Sequence, residues 1–66
     1  MRITVNGEER TFSEGVTLKG LLEVLNIRPQ GIAVELNLEI VPKSRYGGTT
    51  MRDGDRLEIV RMVGGG

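Results

Sequence analysis

The chain has 66 residues, nine basic and nine acidic, and neither Cys nor His. A domain of this size buries only about 60% of the surface its unfolded chain exposes, so its core is thin, and the composition rules out a disulfide, a thiolate site and imidazole-ligated zinc as staples. The cancelled charge argues against a nucleic-acid partner, no apolar run approaches the ~20 residues of a membrane span, and residues 1–5 lack a secretory core and cleavage site, which predicts a cytoplasmic protein.

Residues 1–5 alternate, with Met1, Ile3 and Val5 against Arg2 and Thr4. That is the period of a half-buried strand. Asn6-Gly7 follows as a hairpin turn, since both residues tolerate positive φ. Residues 8–12 return as a second strand with Phe12 on the core side. Ser13-Glu14-Gly15 breaks the pattern.

Thr17 is placed to cap a helix beginning at Leu18, its hydroxyl accepting an orphan backbone N–H. Leu18, Leu21, Leu22 and Leu25 form one apolar stripe, with Lys19 and Glu23 opposite. Gly20 costs ~1 kcal/mol against Ala inside a helix. Its missing side chain suggests a close approach to the sheet. Asn26 and Pro29 end the helix.

Ile32, Val34 and Leu36 alternate with Ala33 and Glu35 as a third strand. Asn37-Leu38-Glu39 reads as a turn into a short strand at Ile40-Val41. Residues 42–55 read as mostly irregular, with room for a single helical turn from Lys43 to Tyr46. Tyr46 is expected to pack its ring over the sheet edge. Asp53-Gly54-Asp55 is a turn before the last strand. Two carboxylates around a glycine fall far short of a calcium loop, so no metal site is expected.

The last strand covers residues 56–63. Leu57, Ile59 and Val63 share a face with Arg61, while Arg56, Glu58, Val60 and Met62 share the other. One helix covering one face of one mixed sheet gives an α+β domain. The compact solution is a β-grasp, the ubiquitin-like architecture, with four to five strands and with the first and last strands as parallel central neighbours. The domain spans residues 1–63, and residues 64–66 form a flexible glycine tail.

Gly64-Gly65-Gly66 abuts that strand without a polar spacer. Glycine lacks Cβ, gains nothing by packing and can thread a channel too narrow for a side chain. The terminal carboxyl is ionised at neutral pH. A carboxylate is a poor acyl donor, but attack on the α-phosphate of ATP makes it an acyl-adenylate with a good leaving group. Without Cys or His the chain suits the role of substrate better than that of catalyst. The other reading of such a tail is a frayed terminus.

With these features in order, the chain resembles the ThiS family, the sulfur carriers of thiamine thiazole biosynthesis. The likeness runs from Met1-Arg2-Ile3-Thr4-Val5-Asn6-Gly7-Glu8 through Val16-Thr17-Leu18, Ala33-Val34 and Glu39-Ile40-Val41-Pro42-Lys43. It is most specific at Asp53-Gly54-Asp55-Arg56-Leu57-Glu58-Ile59-Val60 and Val63-Gly64-Gly65-Gly66. The resemblance implies that the Gly66 carboxylate is adenylated by a partner related to ubiquitin-activating enzymes, which consumes the ATP, so that no cofactor is held stably. Sulfur from a cysteine desulfurase or other persulfide-bearing donor then gives a thiocarboxylate. That sulfur passes to thiazole synthase. Gly65 and Gly64 lie beside Gly66 in the partner's channel, and the chain itself is not an enzyme.

Val60 and Met62 face away from the helix, next to the tail. They read either as a docking patch or as ordinary surface apolars. Arg61 reads either as a contact to an acidic partner surface or to nucleotide phosphates, or as a cation bent to solvent over its apolar stem. Two further hypotheses stand beside the thiamine one. A carrier for molybdopterin or cysteine synthesis would share the chemistry at Gly66, and a β-grasp interaction module would not need it.

Overall fold

In the computed structural model residues 1–62 are described. The strand order is β2-β1-β5-β3-β4, in one five-stranded sheet. Strands β1 (Arg2–Val5) and β2 (Glu8–Thr11) form the first hairpin. Asn6 and Gly7 between them both have positive φ, 50° and 82°, which is what a two-residue turn matching the strand twist requires. Phe12, just past β2, is buried as expected.

Helix α1 (Leu18–Val24) starts where the capping residue puts it. The Thr17 hydroxyl accepts the Gly20 N–H at 3.0 Å, and the Leu18 N–H donates to the Thr49 carbonyl at 2.8 Å. At the other end Asn26 turns left-handed at φ 59°. The Asn26 N–H reaches the Glu23 carbonyl and the Ile27 N–H reaches Leu22. This is the double closure of a Schellman motif, with Ile27 and Leu22 both facing the core. Gly20 does not serve a close approach to the sheet. A Cβ there would lie 3.2 Å from Val16 Cγ2 and 3.4 Å from Thr17 Oγ1, so the glycine makes room for the helix's own capping segment.

Strand β3 (Ile32–Leu36) turns into β4 (Glu39–Ile40) through Asn37 and Leu38 alone. The expected strand at 40–41 therefore begins one residue earlier. The turn has two residues rather than three, and both adopt positive φ, 51° and 72°. Leucine in that conformation is unusual.

The stretch from 42 to 55 is more ordered than expected. A 3₁₀-helix spans Lys43–Gly48, and Thr50 bridges Thr17. Tyr46 and Met51 are buried in the core. Tyr46 sits with the 3₁₀-helix against α1, not over a sheet edge. Burial raises its phenol pKa above the usual value.

Strand β5 (Arg56–Arg61) runs parallel to β1 and antiparallel to β3. It thus occupies the middle of the sheet, as the β-grasp arrangement predicts. Leu57 is buried with Ile3, Val5, Val34 and the α1 leucines Leu18, Leu21 and Leu22. Each such side chain contributes about 1.5–3 kcal/mol of burial.

Candidate functional site

The C-terminal end of β5 is where the fold delivers its glycine tail. Its position is set by bonds on both flanks. On one side β5 pairs with β3 through Arg61 opposite Ile32. The Met62 N–H extends this pairing to the Gly31 carbonyl at 2.9 Å. On the other side the β1 ladder stops at Val5 opposite Leu57, where the Asn6 N–H still reaches the Leu57 carbonyl at 2.9 Å.

Beyond that point the Asn6 side chain takes over. Its Oδ1 accepts the Ile59 N–H at 2.7 Å, and its Nδ2 donates to the Ile59 carbonyl at 3.2 Å. The amide therefore stands in for one more strand residue. A second asparagine holds the start of β5. Asn37 Oδ1 accepts the Arg56 N–H at 3.0 Å, and Asn37 Nδ2 donates to Asp55 Oδ1 at 3.1 Å. Neither side-chain role was read from sequence. Asn6-Gly7 and Asn37-Leu38 signalled turns, and the signal carries only the backbone preference of asparagine.

Asp53 and Asp55 are occupied by backbone donors. Asp53 accepts the Arg2 N–H, and Asp55 accepts the Arg52 N–H at 2.7 Å. These carboxylates shape the turn, as the spacing suggested.

Val60 faces away from the helix-covered side, opposite Ala33, and is exposed. Met62 is exposed too. Arg61 lies on the helix side of the sheet, past the end of α1. It lines a cleft with Asn26, Arg28, Gln30 and Gly31. It forms no ion pair among the described residues. The structure thus puts Arg61 on one face and Val60 on the other. Val63 of the last strand and the tail residues Gly64, Gly65 and Gly66 lie outside the described residues.

No described helix is long and apolar enough to cross a membrane. The sheet's open face and the cleft beside Arg61 hold no cluster of three metal-ligating side chains among the described residues. What the described end of β5 offers is a fixed strand, exposed apolar side chains and a lone guanidinium.

Comparison with known proteins identifies the lineage. The model of the ThiS family matches residues 3–66. The chain is 52% identical over 66 residues to a thiazole synthase of Paramagnetospirillum magneticum, a match that covers all of this chain and 20% of that protein. It thus spans about one fifth of the length of that relative, and the same holds for a thiazole synthase of Magnetococcus marinus at 39% identity. The sulfur carrier protein ThiS of Escherichia coli is 32% identical over 66 residues, with all of both chains covered. The crystal structure of a thiamine biosynthesis protein (ThiS) from Geobacter metallireducens superposes with a TM-score of 0.88 at 35% identity, again over all of both chains. The chain belongs to the ThiS family.

Proposed function

We propose that this ThiS family chain is a sulfur carrier in thiamine biosynthesis, loaded at the Gly66 carboxylate. One observation carries the reading. The glycine end directly follows the central strand of the sheet, and the Escherichia coli relative that matches over its whole length is named a sulfur carrier. A strand held on both flanks gives the tail a fixed root. A protein enclosing the tail can then use the folded domain as a handle and the glycines as a thin lead.

The chemistry follows from the carboxylate. An oxygen of Gly66 attacks the α-phosphorus of ATP in an adenylating partner, and pyrophosphate leaves. The persulfide sulfur of a donor protein attacks the acyl carbon of the adenylate, and AMP leaves. A thiol then attacks the donor's own sulfur in the resulting acyl disulfide, which forms a disulfide on the donor side and frees the carrier thiocarboxylate. Gly65 and Gly64 occupy the partner's channel. The sulfur goes on to thiazole synthase. The relatives that carry this region within a thiazole synthase chain support that acceptor over those of molybdopterin or cysteine synthesis. On this reading the chain is a co-substrate rather than an enzyme, works in the cytoplasm and binds no cofactor of its own. Val60, Met62 and Arg61 flank the tail root and contact the partners.

The test is intact-mass analysis after incubation with ATP, a cognate adenylating enzyme and a persulfide donor. The expected product is heavier by the difference between sulfur and oxygen. Deleting Gly66 abolishes the change while the circular dichroism spectrum stays the same. An unchanged mass with a demonstrably active partner overturns the proposal. A Gly66 deletion that retains biological function points instead to an interaction module.

A further inference from the structure

The open face of the sheet has two unlike halves. On the β1–β2 half the charges are matched, with Arg2 lying 3.9 Å from Glu9 across the hairpin. On the β5–β3 half, Glu35 and Glu58 stand directly opposite each other. Neither has an ion-pair partner among the described residues. Arg56 shares this face, two residues before Glu58, and forms no ion pair with either.

Like charges facing across an antiparallel pair destabilise it. Unlike Asp53 and Asp55, these carboxylates accept no backbone hydrogen bond that would explain them. Their surroundings on the same face are apolar. Ile40 stands opposite Glu35 from the β4 side. Val60 and Ala33 form the next pair toward the tail. Ile40 and Val60 are 73% and 57% exposed.

We infer that the β5–β3–β4 half of the open face is the docking surface for the adenylating enzyme, which presents a cationic side chain to Glu35 and Glu58 within an apolar ring. The inference rests on the carrier reading above. Two features select this occupant. Strand β5 carries Glu58 and Val60 and leads into the glycines, so a protein that encloses the tail must lie against this end of the strand. The charge left unmatched on that half is negative and paired, so the complementary surface is positive. A cation set between the two carboxylates turns their repulsion into attraction. Covering Ile40, Val60 and Ala33 keeps water from the contact and strengthens it. An arginine fork suits two acceptors held across a ladder.

The pair gives a test in which stability and binding move in opposite directions. The double variant Glu35→Gln/Glu58→Gln keeps the shape of the face and removes the repulsion. Its urea midpoint is expected to equal or exceed that of the wild type. Its KM as substrate in pyrophosphate release by the cognate adenylating enzyme rises roughly tenfold or more, the scale of one lost charge-assisted contact. The kcat is unchanged, and the rise of KM with salt seen for the wild type flattens. Glu9→Gln, on the matched half of the face, leaves KM alone. A double variant with wild-type KM and salt slope overturns the inference, and so does an equal effect of Glu9→Gln, which would mark a response to net charge alone. If wild-type chain releases no pyrophosphate at all, the carrier reading fails and takes this surface with it.

Discussion

Replacing Asn6 by glycine separates its side chain from its turn. Glycine keeps the positive φ that the turn needs, so the hairpin backbone is retained. What goes is the pair of bonds from the amide to Ile59, at 2.7 and 3.2 Å. A typical hydrogen bond contributes about 0.5–1.5 kcal/mol net, and both of these are exposed, so water replaces part of each. Glycine also frees the unfolded chain, while easing the left-handed conformation in the folded one; these two effects oppose each other. The expected cost is about 1–2 kcal/mol, or a Tm lower by about 5–10 °C in a domain of this size. Amide hydrogen exchange gives the local readout. The Ile59 N–H has the Asn6 carbonyl oxygen as its acceptor, so it should lose protection selectively. Val60, whose ladder partner is Ala33 on β3, should keep its protection apart from the small global change. If Ile59 and Val60 lose protection equally, or Ile59 loses none, the amide is not what holds this flank of β5.

Thr17→Ala removes the helix cap at Gly20 and should cost about 1 kcal/mol, read from the urea midpoint at constant slope. Leu38→Gly should raise stability by about 0.5–1 kcal/mol in the same assay, because Leu38 holds φ 72° while 87% exposed, so strain is relieved and little packing is lost. Leu21→Ala, at a fully buried site, should cost about 2–5 kcal/mol and leave a large unfolded fraction in circular dichroism at 37 °C. Tyr46 adds a pH dependence. Its folded pKa lies above its unfolded value near 10 because burial disfavours the phenolate. Its contribution is therefore fully present below about pH 10 and is lost as pH rises through the higher folded value. Tyr46→Phe should flatten that alkaline decline in a series of urea midpoints.

The elements with strict periodicity were legible in the sequence. Ile3 and Val5 alternate cleanly, the α1 leucines fall on one stripe, and Thr17 sits where a cap must. The structure places all of them in those roles. The 42–55 segment was not legible, because its two core residues, Tyr46 and Met51, follow no period. They are buried because Thr49 and Met51 bond to the start of α1 through Leu18 and Val16, a long-range contact that no local pattern announces. The β3–β4 register was misplaced by one residue for a related reason. Leu38 accepts a left-handed conformation that leucine disfavours, so its propensity pointed away from a two-residue turn. At the candidate site, strand alternation correctly separated Val60 from Arg61. Alternation also put Glu58 and Glu35 on the open face, but only the ladder register shows that they face each other.

The two asparagines and the two glutamates describe one strategy from opposite sides. Asn37 and Asn6 secure β5 at its start and along its β1 flank, using side chains where the backbone ladder runs out. Those bonds fix where the last described residues point, so the direction in which the chain continues is set by the fold. Glu35 and Glu58 do the reverse. They sit on the same strand and its neighbour, and they lower stability where a neutral pair would not. A small core leaves little margin for such a cost, so retaining it on the face beside the tail root argues for a return outside the free domain. Complex formation supplies one, because a cation docked there recovers the repulsion along with its own attraction. Orientation of the tail and recognition of its partner are then carried by the same strand. The Asn6→Gly and Glu35→Gln/Glu58→Gln variants should separate them: the first loosens the strand's flank, while the second leaves the strand intact and weakens only the encounter.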